Sequence, residues 1–305
     1  MDTVCAPDVT PRHQLVVPAA WVAMLAVSEL PEILLATATV HAPDWLLWAK
    51  IGFLAAFAGL TLWWGSLRRL RAYGLVLLAF FLALKMSAWV GSTAWWQDRF
   101  ARPDVSFVRG FAGLFLLDTG VALVVIAALC ALKRRPRNFF LTRGRLDAPI
   151  APVAWLGIKA GESWRAFGWI FAGAAGVCVL FPTVIAIAPS ATMIARAAPL
   201  LPVVLLLAAI NAFNEEIYFR SSLLSTLNDA LGKGQTLLLS AVFFGLAHYL
   251  NGSPPGVPGV LMTGFLAWLI GKSMLETGGF LWPWFIHFVP DVVVFASYAL
   301  LRVQP

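Results

Sequence analysis

The sequence predicts an all-α fold, a polytopic transmembrane bundle of eight or nine helical spans. First, 60% of the 305 residues are hydrophobic and only 12% are charged, with a mean hydropathy of +0.82, against roughly a quarter charged in soluble domains. Second, the apolar runs are long and lack the period-2 alternation of a membrane barrel, and a helix is then the spanning element that satisfies its own backbone in lipid. Third, the basic residues collect in short stretches between the runs. The formal charge of +7 is therefore read as a topology signal, and the expected partner is the lipid bilayer, with no nucleic acid. The three cysteines, Cys5, Cys130 and Cys178, are too scattered for a disulfide framework. The N-terminus lacks a basic n-region, a short apolar stretch and a small-residue cleavage site, so the first run is read as a retained span.

After a polar lead over residues 1–13, the first span runs from about Gln14 to Val40, interrupted at Ser28-Glu29-Leu30-Pro31-Glu32. The second covers about Asp44 to Leu67 and ends in Arg68-Arg69-Leu70-Arg71; the third covers Gly74 to Trp96. A loop from Gln97 to Arg109 carries both signs of charge. The fourth span, Gly110 to Leu132, ends at Lys133-Arg134-Arg135-Pro136-Arg137. The two basic clusters lie two spans apart and mark the same side, which places the N-terminus in the cytoplasm.

Residues 133–164 form a basic linker on the cytoplasmic side, in which Ala154 to Lys159 is expected as a short amphipathic interfacial helix. The linker divides a four-span region, 1–132, from a second membrane region, 165–305. In that second region a fifth span covers Phe167 to Ile187, and a sixth runs from Ala198 to Leu231 with Gly232 as its stop. A seventh, short span covers Gln235 to Leu250, followed by the Gly/Pro-rich turn Gly252 to Gly259. The eighth span covers Val260 to Leu275 and the ninth Phe280 to Leu301. The count is nine with the kinked first run taken as one span, and eight with it taken as a re-entrant pair.

Charge inside these spans needs a physical reason, because an ionisable group in lipid is costly and by default faces the bundle interior or a wet cavity. In Asn214-Glu215-Glu216-Ile217-Tyr218-Phe219-Arg220, Glu216 and Arg220 stand four residues apart with the acid N-terminal, the favourable order for a helical ion pair. Adjacent helical residues point about 100° apart. Glu215 thus lacks a local partner and is the candidate for chemistry, Glu216 the candidate for architecture. Of four histidines, His13 and His41 sit near span ends, whereas His248 and His287 fall within apolar stretches. Phe244 precedes His248 by four residues and can set its position; Asp291 follows His287 by four and projects with it. Two imidazoles and two or three carboxylates in a partly dry cavity can activate water by general-base catalysis. They can also hold a metal such as zinc, with His248, His287, Glu215 and Asp291 as the ligands. Either chemistry is hydrolytic. The spacing His-Glu-x-x-His is absent, and the reading adopted needs no metal and no other cofactor.

Glu215-Glu216-x-x-x-Arg220, Phe244-x-x-x-His248 and His287-x-x-x-Asp291 resemble, in order, the three motifs of the CPBP family: the CAAX proteases and bacteriocin-processing proteins, also called Abi, whose eukaryotic relatives are type II CAAX prenyl endopeptidases. The stretch Thr277 to Pro283 is similar to the segment leading into the last of these motifs. The resemblance covers roughly residues 165–301. It implies an intramembrane endopeptidase acting on a peptide or membrane-protein substrate, with Glu215 activating a water helped by His248, and His287 with residue 291 stabilising the oxyanion. Glu216, Arg220 and Phe244 would be supporting, substrate-positioning residues. Family members often carry asparagine at the last position, whereas this chain has Asp291. An ionised aspartate cannot donate to an oxyanion, so it would be protonated, orient His287 or ligate a metal.

Two other classes compete. A catalytically silent membrane scaffold or immunity protein would share the fold, and a transporter would use the buried charges of the first half: Glu29, Glu32, Lys50, Lys85 and Asp118. Those charges are expected to act as internal glue, with Lys85 pairing Asp118 across neighbouring spans. The protein is expected in the cytoplasmic membrane of a bacterium.

Overall fold

A computed structural model describes residues 15–252 and 254–303; the polar lead with Cys5 and His13, and Ser253 in the Gly/Pro turn, lie outside the described residues. The fold is an all-α membrane bundle. Among the described residues the only β features are two isolated bridges in the linker, Pro149 with Ser163 and Val153 with Ile158.

The first apolar run forms α1 (Val16–Val27) and α2 (Leu30–Thr37), bent by 54°. The break follows from Ser28, whose Oγ accepts the Leu30 N–H at 3.1 Å, and from Pro31, which cannot continue a preceding helix. Next come α3 (Leu46–Trp63), α4 (Arg71–Ser92) and α5 (Phe107–Ala131), which pack one against the next. Ser106 caps α5 by accepting the Arg109 N–H. After the linker come α6 (Trp164–Ile187), a short α7 (Ala191–Ala197), α8 (Leu201–Glu216) and α9 (Ser222–Leu231). Gly232 ends α9 at φ 78°, as expected of a stop residue. The chain closes with α10 (Lys233–Leu246), α11 (Val257–Thr277) and α12 (Leu281–Arg302).

Seven of these stretches are long and apolar enough to cross a membrane, or eight when the bent α1–α2 pair counts as one span. The difference from nine is the expected seventh span. It forms as the 14-residue α10, about 21 Å long at 1.5 Å per residue, short of a hydrocarbon core of about 30 Å.

Three further expectations are corrected. Ala154–Leu156 is a single 3-10 turn rather than an interfacial helix, because the chain doubles back there through the Val153–Ile158 bridge. Its Trp155 still leans on Trp268, with rings 5.8 Å apart. Lys85 does not pair with Asp118; its ammonium lies over the Trp48 ring at 5.1 Å. The glue of the first half is instead Lys50, whose Nζ reaches both Glu32 carboxylate oxygens, at 2.5 and 2.7 Å, and the Ser28 carbonyl at 2.6 Å.

Two halves meet in one core. A continuous cluster runs from Met24, Leu54, Tyr73 and Val125 to Ile217, Leu224, Leu239 and Met274. In the second half α12 is held between α6 and α8 and also touches α11. Lipid tails are as apolar as leucine, so close van der Waals fit does much of the work between helices. At Gly168 of α6 a Cβ would stand 2.4 Å from the Trp282 ring of α12, an approach that only glycine permits. The outer side of α6 presents Trp169, Ile170, Phe181 and Ile185, all well exposed, as a lipid-facing surface requires.

Candidate active site

Three segments converge on one cavity. The first is the C-terminal end of α8 and the turn after it. Residues Ile217–Ser221 form a π turn between α8 and α9, a widening often found at functional sites. Its Arg220 and the last α8 residue, Glu216, are both fully buried and stand 3.4 Å apart, Nη1 to Oε1. The Arg220 guanidinium also stacks on the Phe244 ring, 3.9 Å from its centroid, the stacked geometry that arginine favours on aromatics.

The second segment follows α10. His248 does not lie within an apolar helix as expected; α10 ends at Leu246 and His248 belongs to the turn beyond it. The spacing from Phe244 still holds. His248 Nδ1 lies 2.9 Å from the Phe244 carbonyl and the two rings are 4.4 Å apart. A carbonyl only accepts, so this bond assigns the proton to Nδ1 and leaves Nε2 as an acceptor.

The third segment is the middle of α12. His287 Nδ1 lies 2.8 Å from Glu216 Oε1, and its Nε2 lies 3.4 Å from Glu215 Oε2 and 3.7 Å from Asp291 Oδ1. One imidazole thus meets all three carboxylates. Glu216, assigned to architecture by its pairing with Arg220, also holds His287. Pro290, inside α12, removes a backbone donor between the two site residues of this helix.

These groups open onto a cavity of about 510 Å3 whose lining includes Glu215, His248, His287 and Asp291, with Phe244 between the imidazoles. The Glu215 side chain is 24% exposed whereas that of Glu216 is fully buried, so the two neighbouring carboxylates divide into one facing space and one facing protein.

Two contributions escaped sequence reasoning. Asn211 lines the cavity and donates its Nδ2–H to Asp291 Oδ2 at 3.0 Å. It stands four residues before Glu215, so the same helical spacing that paired the other residues marks it. The opposite wall comes from the first half: Phe111, Leu114 and Phe115 of α5. Two contacts tie α5 to α8 and the π turn. Asn214 donates to Thr119 Oγ1 at 3.2 Å, and the Tyr218 hydroxyl donates to the Asp118 carbonyl. No local sequence signal pointed to this wall.

The four residues that a zinc reading would use, His248, His287, Glu215 and Asp291, border the same cavity. Among the described residues no group of three or more histidine, cysteine, aspartate or glutamate side chains has the arrangement that holds a metal ion. His287 is directed at carboxylates through both nitrogens, and Nδ1 of His248 is committed to a backbone carbonyl.

Residues 197–293 match the family Rce1-like, described as type II CAAX prenyl endopeptidase Rce1-like. The match runs from α7 to the middle of α12 and contains every site residue from Asn211 to Asp291, so the resemblance to CAAX-type membrane proteases is borne out over that stretch. No curated protein and no solved structure matches the chain. The seven or eight candidate spans make this an integral membrane protein, and residues 197–293 of it are similar to that protease family.

Proposed function

We propose that this protein is an intramembrane endopeptidase that hydrolyses a peptide bond of a membrane-associated protein or peptide with a glutamate-activated water, without a metal. The observation that carries the reading is the partition of the carboxylates: Glu215 faces the cavity while Glu216 is buried against His287 and Arg220. Glu215 takes a proton from water as the water oxygen attacks the scissile carbonyl carbon, and His248 Nε2 accepts a hydrogen bond from the O–H that stays on the attacking oxygen. The carbonyl oxygen becomes an oxyanion. When the tetrahedral intermediate collapses, the C–N bond breaks and Glu215 returns the proton to the departing amine.

Oxyanion stabilisation requires donors. His287 donates Nδ1–H to Glu216, and its Nε2, directed at Glu215 and Asp291 at the cavity's edge, supplies an N–H to the oxyanion once Glu215 has turned to the water. Asp291 keeps an orienting role, since its two oxygens face His287 and Asn211. Asn211 has a second N–H to offer, and with His287 it supplies the donor pair that an ionised Asp291 cannot. The N-terminus is cytoplasmic, the orientation given by the basic stretches after α3 and α5, in a bacterial cytoplasmic membrane; the cavity, walled by Phe111, Leu114 and Phe115 near the start of α5, lies toward the end of that helix remote from its basic stretch.

The test is cleavage of a quenched fluorescent peptide library by detergent-purified protein, comparing wild type, Glu215→Gln and His248→Ala, each with and without a chelator. Activity lost in both variants and retained under chelation is the expected result. Loss to the chelator with restoration by zinc overturns the water mechanism, and cleavage retained by Glu215→Gln overturns the role of Glu215.

A further inference from the structure

A second cavity, of about 660 Å3, lies where the linker meets the first turns of α6 and α12. Its charged lining is Arg143, Arg145 and Asp147 of the linker and Arg165 of α6, three guanidiniums against one carboxylate. Among the described residues none of the three arginines makes an ion pair. The other wall is aromatic. Trp169 meets Phe285 at 4.7 Å and Trp282 at 5.9 Å, ring centre to ring centre.

The loop carrying Arg143 and Arg145 is fixed in place. Arg145 N–H donates to the Thr277 carbonyl and Phe280 N–H to the Thr142 carbonyl, both at 2.8 Å. Between them Gly144, at φ 71°, lies so close to Gly279 that a Cβ would stand 2.7 Å from the Gly279 Cα. This latch joins the loop to the turn that starts α12, so the guanidiniums are presented by a preformed backbone.

Location and composition together narrow the ligand. The cavity sits where two spans begin, at the depth of lipid headgroups. Its cations are arginines, whose planar fork matches phosphate oxygens in pairs. Its aromatic wall continues onto the lipid-facing side of α6, where Trp169 is 62% exposed and Ile170 66%. A free anion in water gains nothing from such a wall, whereas a phospholipid places its phosphate beside the arginines and its acyl chains along α6. We propose that this cavity binds the phosphate-bearing headgroup of an anionic phospholipid, with Arg143, Arg145 and Arg165 as its cationic contacts and Trp169 and Phe285 against its glycerol and upper acyl carbons.

The full chain in a neutral detergent is titrated with phosphatidylglycerol, phosphatidylcholine or inorganic phosphate while its thermal unfolding midpoint is followed. Phosphatidylglycerol alone is expected to raise the midpoint, less so at high salt. In Arg143→Gln/Arg145→Gln, and separately in Arg165→Gln, which leaves the latched loop untouched, half-saturation should need roughly tenfold more phosphatidylglycerol. Lys133→Gln/Arg137→Gln removes the same charge from the linker outside the cavity and should behave as wild type. Equal stabilisation by inorganic phosphate would identify a free-anion site and overturn the lipid assignment. Equal stabilisation by phosphatidylcholine, cavity variants that titrate like wild type, or a control pair that loses as much as the cavity variants would each overturn the site.

Discussion

Two of the charge groups buried in this bundle, one in each half, are built in opposite ways. In the first half Lys50 is wrapped: its ammonium reaches both oxygens of Glu32 and the Ser28 carbonyl, and all three donors are used. In the second half the charges are gathered around space. Glu215 and Asp291 border a cavity, His287 sits among three carboxylates, and the Arg220 guanidinium lies buried with no hydrogen bond of its own beyond the ion pair and the ring. A closed pair holds helices together and offers nothing to a ligand. An open, incompletely satisfied cluster costs stability that packing elsewhere must offset, and it is what chemistry requires.

The contrast is most exposed at Glu215. Glu215→Gln should lower the cleavage rate by about 10² to 10⁴, the range for loss of a general base, while leaving the unfolding midpoint unchanged; peptide kinetics beside thermal unfolding check both halves of that statement. Lys50→Met should do the reverse. Stranding one partner of a buried pair costs about 3 to 5 kcal/mol, so unfolding in detergent should come much earlier, and the activity of the folded fraction should be untouched. Lys50→Met/Glu32→Gln should recover much of that loss, and a double variant no better than the single would show that the pair is not the source of the stability.

A smaller effect probes division of labour inside the open cluster. Asp291→Asn should reduce kcat about tenfold or less, because the amide keeps the shape but weakens the hold on His287 and Asn211. Combined with Asn211→Asp, which exchanges the two groups, it should differ from the sum of the single effects, since residues in direct contact couple. Strict additivity of log kcat would separate Asn211 from the chemistry. Smallest is Phe111→Ala, which trims the α5 wall. It should alter KM among peptides a few-fold with kcat preserved, consistent with about 1.5 to 3 kcal/mol for a whole buried aromatic that is only partly lost here. A change confined to kcat would mean that the first half does more than wall the cavity.

Much of this molecule was legible because its signals are local. Span positions follow from apolar runs. The kink between α1 and α2 follows from Ser28 and Pro31, the end of α9 from Gly232, and the Glu216–Arg220 pair from a spacing of four. What the residues withheld depends on how helices are rotated and at what depth they cross. Lys85 and Asp118 look matched on paper, yet Lys85 rests on Trp48 while the Asp118 carbonyl receives Tyr218. His248 escaped α10 because that helix stops two residues earlier, which composition does not announce. Asn211 was within reach of the same periodicity. The α5 wall was not, since nothing in Phe111 or Phe115 distinguishes a residue facing a cavity from one facing lipid.

The π turn at Ile217–Ser221 gives the chain an unusual form of bookkeeping. A π turn holds one residue more than an α turn for about the same angle of rotation, so the helix beyond it is out of phase with the helix before it. Deleting a single residue from 217–221 would let an ordinary α-helix run through with α9 still in place. Keeping every residue but winding the turn as α-helix would instead swing everything from Ser222 to Leu231 by about 100°, carrying Leu223, Leu224 and Leu227 out of the core while Glu215 stayed in place. The bulge thus acts as a slipped tooth in a gear: it lets the face of α8 that meets the cavity and the face of α9 that meets the core be chosen independently. Sequence drift on one side of the turn then leaves the alignment on the other side undisturbed.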